Sequence, residues 1–333
     1  MNKVKAKRIG GCLPATLMGL AAVCSLLTFD AFAQNAWPSR PIRLVMPFPP
    51  GGATDANARA LAKEMEASVG QSIVVDNRGG ANGIIGCDIV AKAAPDGYTM
   101  MHISVAFAIN PSVHKKLPYD SVRDFTPITN PIVGHGALLV VHPAVQARNV
   151  TELIALAKKQ PLSFSSPGVG NVLHLINESF NSRAGIRMLH VPYKGSGPSL
   201  VAVLGGEVQV NVVPPLTAMV HVRAERLRAL GYSGAKRLER MPDIPTIAEN
   251  GLPGFQLDSG WHGWFAPAKT PDSIVMTIYN AIHKAVQTPR MRDLFITAGY
   301  EPVADAPAVF RKTVEADIKR WGEIARLAGV KPE

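Results

Sequence analysis

Apolar and polar positions alternate along the first half of the chain in a way that predicts strands separated by helices. A helix from about Asp55 is expected because apolar residues recur there at helical spacing, at Ala58, Leu61, Ala62, Met65 and Val69. A second helix follows the glycine-rich segment 79–83 and ends before Pro95. Short runs rich in β-branched and other apolar residues predict strands at 42–46, 72–75 and 98–103. Strands and helices in this order are typical of a mostly parallel sheet.

The same alternation resumes in the second half and predicts a second α/β unit. Strands are expected at 137–141, 162–165, 188–191, 208–213 and 227–230. Helices are expected from Thr151 to about Lys159, from Asn171, and from the turn 195–198 to Gly205. A long amphipathic helix carries Phe310, Val314, Ile318, Trp321 and Ala325. We therefore expect two α/β lobes joined by a short link near 125–137, with ligand in the crevice between them.

The first 33 residues have the layout of a cleaved secretory signal. Four basic residues occur within the first eight positions, an apolar stretch follows, and Ala31-Phe32-Ala33 supplies small residues for cleavage after Ala33. An uncleaved membrane anchor is the alternative, which the short and interrupted apolar run disfavours. We therefore expect the protein to be exported to the periplasm.

Composition and charge narrow the possible partners. The chain has 333 residues, of which 47% are hydrophobic, and a formal charge of +10. Residues 1–33 contribute four bases and one acid, which leaves +7 for the rest. The bases are scattered and aromatic residues make up only 6%, so we expect no nucleic-acid partner. After residue 33 only Cys87 remains, and we expect it to be a small buried residue rather than a nucleophile.

Three strand-to-helix turns are the strongest candidates for chemistry. Helix N-termini present unpaired N–H groups and the positive end of a dipole, so they bind anions without a charged side chain. Thr54 or Asp55 is expected to cap the first of these helices. The turns contribute Phe48, Pro50, Gly51, Gly52, Thr54 and Asp55, then Ser165, Ser166, Gly168, Gly170 and Asn171, and finally Ser196. Three such turns in one chain favour a shared anion site.

Other kinds of site find less support. Gly168 and Gly170 follow a strand, but Leu173 stands where a dinucleotide fingerprint needs its third glycine. His174 and Glu178 lie on one helix face and are compatible with metal binding, although a packing or capping histidine is favoured. Asp55 and Arg59 are most simply a helix-surface ion pair. We expect no cofactor, no metal and no enzymatic activity.

Motifs along the whole chain after residue 33 resemble one family. They include Trp37-Pro38-Ser39-Arg40-Pro41-Ile42, the Pro-Pro-Gly-Gly-x-Thr-Asp turn, Asn77-Arg78-x-Gly80-Ala81-x-Gly83, Ala94-Pro95-Asp96-Gly97-Tyr98-Thr99, His190-Val191-Pro192-Tyr193-Lys194-Gly195 and Pro242-Asp243-Ile244-Pro245-Thr246. In these residues the chain resembles the Bug family, the extracytoplasmic solute receptors of tripartite tricarboxylate transporters.

The resemblance implies a type II periplasmic-binding-protein fold with two α/β lobes that close on a ligand. It implies a discontinuous first lobe, residues 34–134 plus 260–333, and a second lobe, residues 135–259. It also implies a carboxylate held by backbone amides and ordered waters from the first-lobe turn at 48–55 and the second-lobe turn at 165–171, with His174 nearby. The expected partners are a small carboxylate and the permease subunits of such a transporter, and the expected state is a monomer.

The chain departs from the family's usual pattern after the third strand. There Ile103, Ser104 and Phe107 stand where further hydroxyl residues are common. We expect Ser104 and Phe107 to contact ligand, and Phe107 with Ile103 to favour an aromatic or otherwise apolar carboxylate. Two alternatives remain open: a receptor that hands its ligand to a signalling sensor, and a periplasmic hydrolase that uses Ser166 and His174.

Overall fold

The structure is a computed structural model and describes residues 1, 3 and 37–332. One sheet takes its strands from both ends of this part of the chain. Its strands are β1 (Ile42–Met46), β2 (Ile73–Asn77), β3 (Thr99–Ser104), β4 (Phe125–Gly134), β10 (Gly260–Pro267) and β11 (Tyr300–Pro302). Their spatial order is β11-β4-β10-β3-β1-β2. β1 runs parallel to β2 and β3, whereas β10 is antiparallel to β3 and β4. The predicted signal sequence and its cleavage site lie outside the described residues.

A second sheet is built entirely from the middle of the chain. Its strands are β5 (Leu138–Val141), β6 (Ser163–Ser166), β7 (Leu189–Pro192), β8 (Val210–Val213) and β9 (Arg228–Tyr232), in the order β7-β6-β8-β5-β9. Every residue of β5 is buried because its alternate side chains enter two different cores, Leu139 and Val141 in one and Leu138 and Val140 in the other. The strands of each sheet fall within the range expected for one lobe; the lobe boundaries themselves stay a prediction.

Helices pack against strands of both sheets. They are α1 (Ala53–Val69), α2 (Ile84–Ala91), α3 (Ala106–Val113), α4 (Val150–Lys159), α5 (Val172–Ala184), α6 (Ser196–Leu204), α7 (Pro215–Arg223), α8 (Asp272–Val286), α9 (Pro289–Thr297) and α10 (Pro307–Leu327). The amphipathic helix expected near the C-terminus is α10, which buries Phe310, Val314, Trp321 and Ala325 and contacts both α3 and α5. Of the described helices, none is long and apolar enough to cross a bilayer.

Two sequence-based expectations about the fold are wrong, and one helix was not expected. The expected link near 125–137 contains β4, a ten-residue strand between β10 and β11. Its Pro127 and Pro131 argue against a strand when only the sequence is considered. α4 is capped by Asn149, whose side chain accepts a hydrogen bond from the Glu152 amide, and not by Thr151. Segment 106–113 forms a helix that was not expected. Cys87, as expected, is fully buried, and burial raises the pKa of its thiol to about 12.

Candidate functional site

A cleft of about 1000 Å³ is lined by residues at or near the ends of strands in both sheets. From the first sheet come the turn 48–55, Asn77, the segment 79–83, Ser104, His262 and Tyr300. From the second come the segments 167–169 and 171–173, the turn 193–198, and Pro214 with Pro215. The structure thus brings the three predicted turns to one hollow. This is the arrangement expected when ligand lies at the carboxyl ends of strands.

Asp55 organises the first turn. Its carboxylate accepts hydrogen bonds from the Gly51 amide at 3.0 Å, from Asn77 Nδ2 at 2.9 Å and from Arg59 Nε at 3.1 Å. Asn77 Nδ2 also donates to the Phe48 carbonyl at 2.9 Å, which ties β2 to the start of the turn. The Asp55 side chain is only 5% exposed, so its pairing with Arg59 is more than a surface ion pair.

The start of α1 keeps its amides open to the cleft. Gly52 is the N-cap and no side chain caps the helix, so the expected cap by Thr54 or Asp55 is wrong. The carboxylate of Asp55 bonds back to Gly51 instead. Burial raises the pKa of Asp55, but the hydrogen bonds from Gly51, Asn77 and Arg59 outweigh burial and the pKa lies below its usual value. Asp55 is therefore ionised and fully engaged in holding the turn.

The second turn lies between β6 and α5. The Gly168 amide donates to Ser166 Oγ at 3.2 Å, and Ser166 Oγ hydrogen-bonds His190 Nε2 at 2.6 Å. The helix expected from Asn171 is α5, and Asn171 caps it by accepting a hydrogen bond from the Leu173 amide at 3.0 Å. The amide of Gly170 donates to His174 Nδ1 at 3.2 Å. These side chains shape the turn so that Gly168 and Asn171 line the cleft.

The third turn, between β7 and α6, contacts the second turn and lies close to the first. The Gly195 amide donates to the Pro167 carbonyl at 3.0 Å, which joins the turns after β7 and β6. A Cβ at Gly195 would lie 3.6 Å from Cγ of Pro49, so this turn also faces the first sheet's turn across the cleft. Gly195 has a φ of 113°, a backbone conformation that favours glycine, and it precedes α6 as its N-cap. Helix starts from both sheets thus surround one hollow.

Beneath the second turn, His174, Glu178 and His190 place possible ligand atoms within 4.8 Å of one another. The two imidazole rings are stacked, with centroids 4.0 Å apart and planes 21° apart, and Phe164 stacks on His190. Ring nitrogens direct their lone pairs in the ring plane, so stacked rings do not aim them at one point. The cluster fits packing better than metal coordination, as the sequence favoured.

Burial controls the protonation of this cluster. Burial, with a smaller effect of His174, lowers the pKa of His190 to about 4. Burial raises the pKa of Glu178, but hydrogen bonds with His174 and Asn181 outweigh it, so the pKa lies below its usual value. His190 is therefore neutral at neutral pH, and Glu178 is ionised.

Ten of the predicted site residues line the cleft and five do not. Those that do are Phe48, Pro50, Gly51, Gly52, Thr54, Asp55, Ser104, Gly168, Asn171 and Ser196. Ser165, Ser166, Gly170 and His174 lie behind the turn, where Ser165 Oγ donates to the Ser199 carbonyl at 2.9 Å. Whether the ten contact a ligand stays a prediction.

Phe107, which was expected to contact ligand, does not line the cleft. It is fully buried, and its ring packs 4.4 Å from that of Phe265 and 5.0 Å from that of Phe125. The reason is that α3 begins at Ala106 and turns Phe107 into the core of the first sheet. Ile103 is likewise fully buried and does not line the cleft. These two residues therefore do not supply the apolar cleft surface that was expected of them.

Several lining residues were missed by sequence reasoning. His262 lies on β10 and Tyr300 on β11, two strands that were not predicted. Pro214 and Pro215 follow β8 at the start of α7. Pro215 stands at the first helical position, which proline favours, and this was the signal that could have placed a helix start there.

Comparisons with known proteins agree with this geometry. The family model for the tripartite tricarboxylate transporter family receptor matches residues 57–330. BugT of Bordetella pertussis is 36% identical over 99% of both chains. The solved structure of the R. palustris protein Rpa4515 with adipate is 33% identical, with a TM-score of 0.85 over 89% of this chain and 100% of that one. MatC from Rhodopseudomonas palustris with bound malate is 30% identical, with a TM-score of 0.78 over 86% of this chain and 99% of that one.

Proposed function

Because the chain belongs to the tripartite tricarboxylate transporter receptor family, we propose that it captures a small organic carboxylate in the periplasm and delivers it to the membrane permease of such a transporter. The same premise supports export through a signal sequence cleaved after Ala33 and action as a monomer. It also supports a first lobe of residues 34–134 plus 260–333 and a second lobe of residues 135–259.

One observation carries the proposal: helix starts from two facing sheets surround a single cleft. The amides of the first turn of α1 have no partner within the helix, and no side chain caps them. Val172 of α5 and Ser196 and Gly197 of α6 also line the cleft, and they lie in first turns of helices, whose amides have no partner within the helix. A carboxylate bound there is neutralised by helix dipoles and backbone donors from both sheets. Closure needs only that the ligand bind the closed state better than the open one.

Relatives with known ligands point to the same class of compound. Rpa4515 was solved with adipate and MatC with malate, and both share this fold at 30% identity or more. Both ligands are small organic acids. We infer that the cleft of this chain takes a carboxylate by the same backbone chemistry.

The hydrolase alternative loses its catalytic pair. Ser166 Oγ hydrogen-bonds His190 rather than His174, and Ser166 is fully buried behind the turn. The structure therefore gives no support to Ser166 and His174 as a catalytic pair. The sensor alternative remains, because a receptor that serves a signalling protein needs the same cleft.

Calorimetry on the mature protein, with adipate, malate, hexanoate and benzoate as probes, tests the proposal. We expect saturable binding of at least one acid at one site per chain, with the acid recovered unchanged. Conversion of the acid, or the absence of binding by all four, contradicts the proposal.

A matched pair of proline variants tests the amide donors themselves. Ala53 is the first residue of α1 and lines the cleft, and Gly52 before it is extended, with φ −79° and ψ 166°. Ala53→Pro therefore removes one N–H where proline is tolerated. We expect the affinity for the best acid to fall at least about tenfold with little change in stability. Asp272→Pro, at the first position of the exposed start of α8, is the control and should leave affinity unchanged. Equal affinities in the two variants contradict the proposal.

A further inference from the structure

Positive charge is confined to one end of the cleft. Among the described residues that line it, Asp55 and Lys194 are the only ones with an Asp, Glu, Lys or Arg side chain. The Asp55 carboxylate accepts hydrogen bonds from three donors, the Gly51 amide, Arg59 Nε and Asn77 Nδ2. Lys194 directly precedes Gly195 and α6. The single cationic side chain thus lies beside the helix starts that form the anion site.

The other end, which we call the β10–β11 end, consists of Ser259, His262, Gly299, Tyr300, Pro214 and Pro215. β10 is two strands away from β1, whose turn forms the anion site, so the two ends are about 10 Å apart across the sheet. The rings of His262 and Tyr300 lie 5.0 Å apart, and a Cβ at Gly299 would be 2.9 Å from Pro215. A ligand anchored at the turns therefore extends its body toward rings and prolines.

His262 offers a neutral hydrogen-bonding group at this end. It is 5% exposed, and burial lowers its pKa to about 3. Its Nδ1 is buried without a hydrogen-bond partner, and the residue lines the cleft. The buried ring of His102 lies 5.4 Å away, edge to face. Burial likewise raises the pKa of Tyr300, so its hydroxyl is neutral as well.

The charges closest in sequence to this end are acidic. Asp258 precedes Ser259 and is held by Arg320 at 2.6 Å, while Glu301 follows Tyr300 and pairs with His135 at 2.6 Å. A second carboxylate on a ligand would find no Lys or Arg side chain among the residues that line this end. α7 also starts here, but Pro214 and Pro215, its residues that line the cleft, have no backbone N–H to donate. An ionised group without a partner is strongly disfavoured in such a place.

We propose that this receptor selects carboxylates with a single negative charge, whose uncharged apolar or aromatic body lies against Tyr300 and Pro215 and whose far end faces His262. The inference rests on the proposed function, because the carboxylate is assumed to bind at the helix starts. It assigns to His262 and Tyr300 the role of specificity-determining residues.

Hexanoate and adipate are a matched pair of six-carbon acids that differ in one carboxylate, and benzoate and malate extend the comparison. In calorimetry at pH 7 we expect hexanoate to bind the mature protein at least tenfold more tightly than adipate, a difference of about 1.4 kcal/mol. Benzoate should bind more tightly than malate. Tighter binding of adipate or malate overturns the selectivity while leaving the proposed function intact, whereas no binding by any of the four overturns both.

A gain-of-charge variant tests the reason for the selectivity. Ser259→Lys places a cation at the β10–β11 end, and Ser259→Met adds similar bulk without charge. We expect Ser259→Lys to shift the ratio of adipate to hexanoate affinity at least tenfold toward adipate, and Ser259→Met to leave that ratio within about twofold of the wild type. Thermal unfolding of each variant reports whether it folds. A folded Ser259→Lys variant with the wild-type ratio overturns the inference, and so would a shift of the same size in Ser259→Met.

Discussion

Gly170 shows how a single residue joins the two halves of the site. It lies in the turn after β6 with a φ of 74°, and a Cβ there would overlap Val113 at the end of α3. The same Cβ would lie 3.4 Å from Asn82 Nδ2 in the first sheet's glycine-rich segment. The turn therefore approaches the first sheet as closely as a glycine permits.

We predict that Gly170→Ala lowers the free energy of unfolding by about 2–5 kcal/mol. About 1–2 kcal/mol comes from the left-handed backbone and about 1–3 kcal/mol from overlap with Val113. Gly185→Ala is the matched control, because Gly185 has a φ of 62° but nothing within 4 Å of its Cβ position. Urea denaturation should show only the backbone cost in that variant. Equal losses in both, or no rescue of Gly170→Ala by Val113→Ala, would rule out the overlap.

At the scale of the element, two asparagines start helices in the same way but in different places. Asn171 caps α5 and lines the cleft, whereas Asn149 caps α4 and does not line it. The start of α5 was predictable from its sequence. The start of α4 was misplaced at Thr151, because threonine is also a good cap and the apolar periodicity does not decide between neighbours two residues apart.

We predict that Asn171→Ala and Asn149→Ala each lower the free energy of unfolding by about 1 kcal/mol, the usual cost of losing an N-cap. Only Asn171→Ala should also weaken ligand binding, because the amides at the start of α5 would lose their fixed orientation toward the cleft. Denaturation and calorimetry on the two variants measure these effects. Weaker binding in Asn149→Ala would show that the effect is on stability alone.

At the scale of the whole molecule, buried neutral histidines couple stability to pH. Burial lowers the pKa of His190 to about 4 and that of His262 to about 3, and it also lowers the pKa of His102. In the unfolded chain a histidine has a pKa of about 6.5. Between that pH and the folded-state values, the unfolded chain binds more protons, so stability is lost as the pH falls.

We therefore predict that the free energy of unfolding decreases by at least about 1 kcal/mol between pH 6.5 and pH 4.5. His262→Gln should make this decrease smaller, because one of the groups that must stay neutral is gone. Urea denaturation at several pH values measures both slopes, with His283→Gln, on the exposed side of α8, as the matched control. A slope in His262→Gln equal to that of the wild type would show that His262 does not contribute.

Residues close together in the chain account for the local elements and for the turns that line the cleft. Strand β1 and the strand–helix order around it follow from short, mainly apolar runs and from helical periodicity, which are local properties. The glycines before α1 and α6 and the cap of α5 indicated helix starts with free amides, and these reach the cleft. Both results depend only on residues that are near one another in the chain.

Tertiary structure alone decided which distant residues complete the cleft. β4 keeps two prolines inside a sheet because it pairs with β10 and β11, which return from the C-terminal part of the chain. Those pairings bring His262 and Tyr300 to the cleft and leave Phe107 in the core. The direction of a side chain relative to a cleft depends on burial against partners far away in sequence, and no local periodicity encodes it.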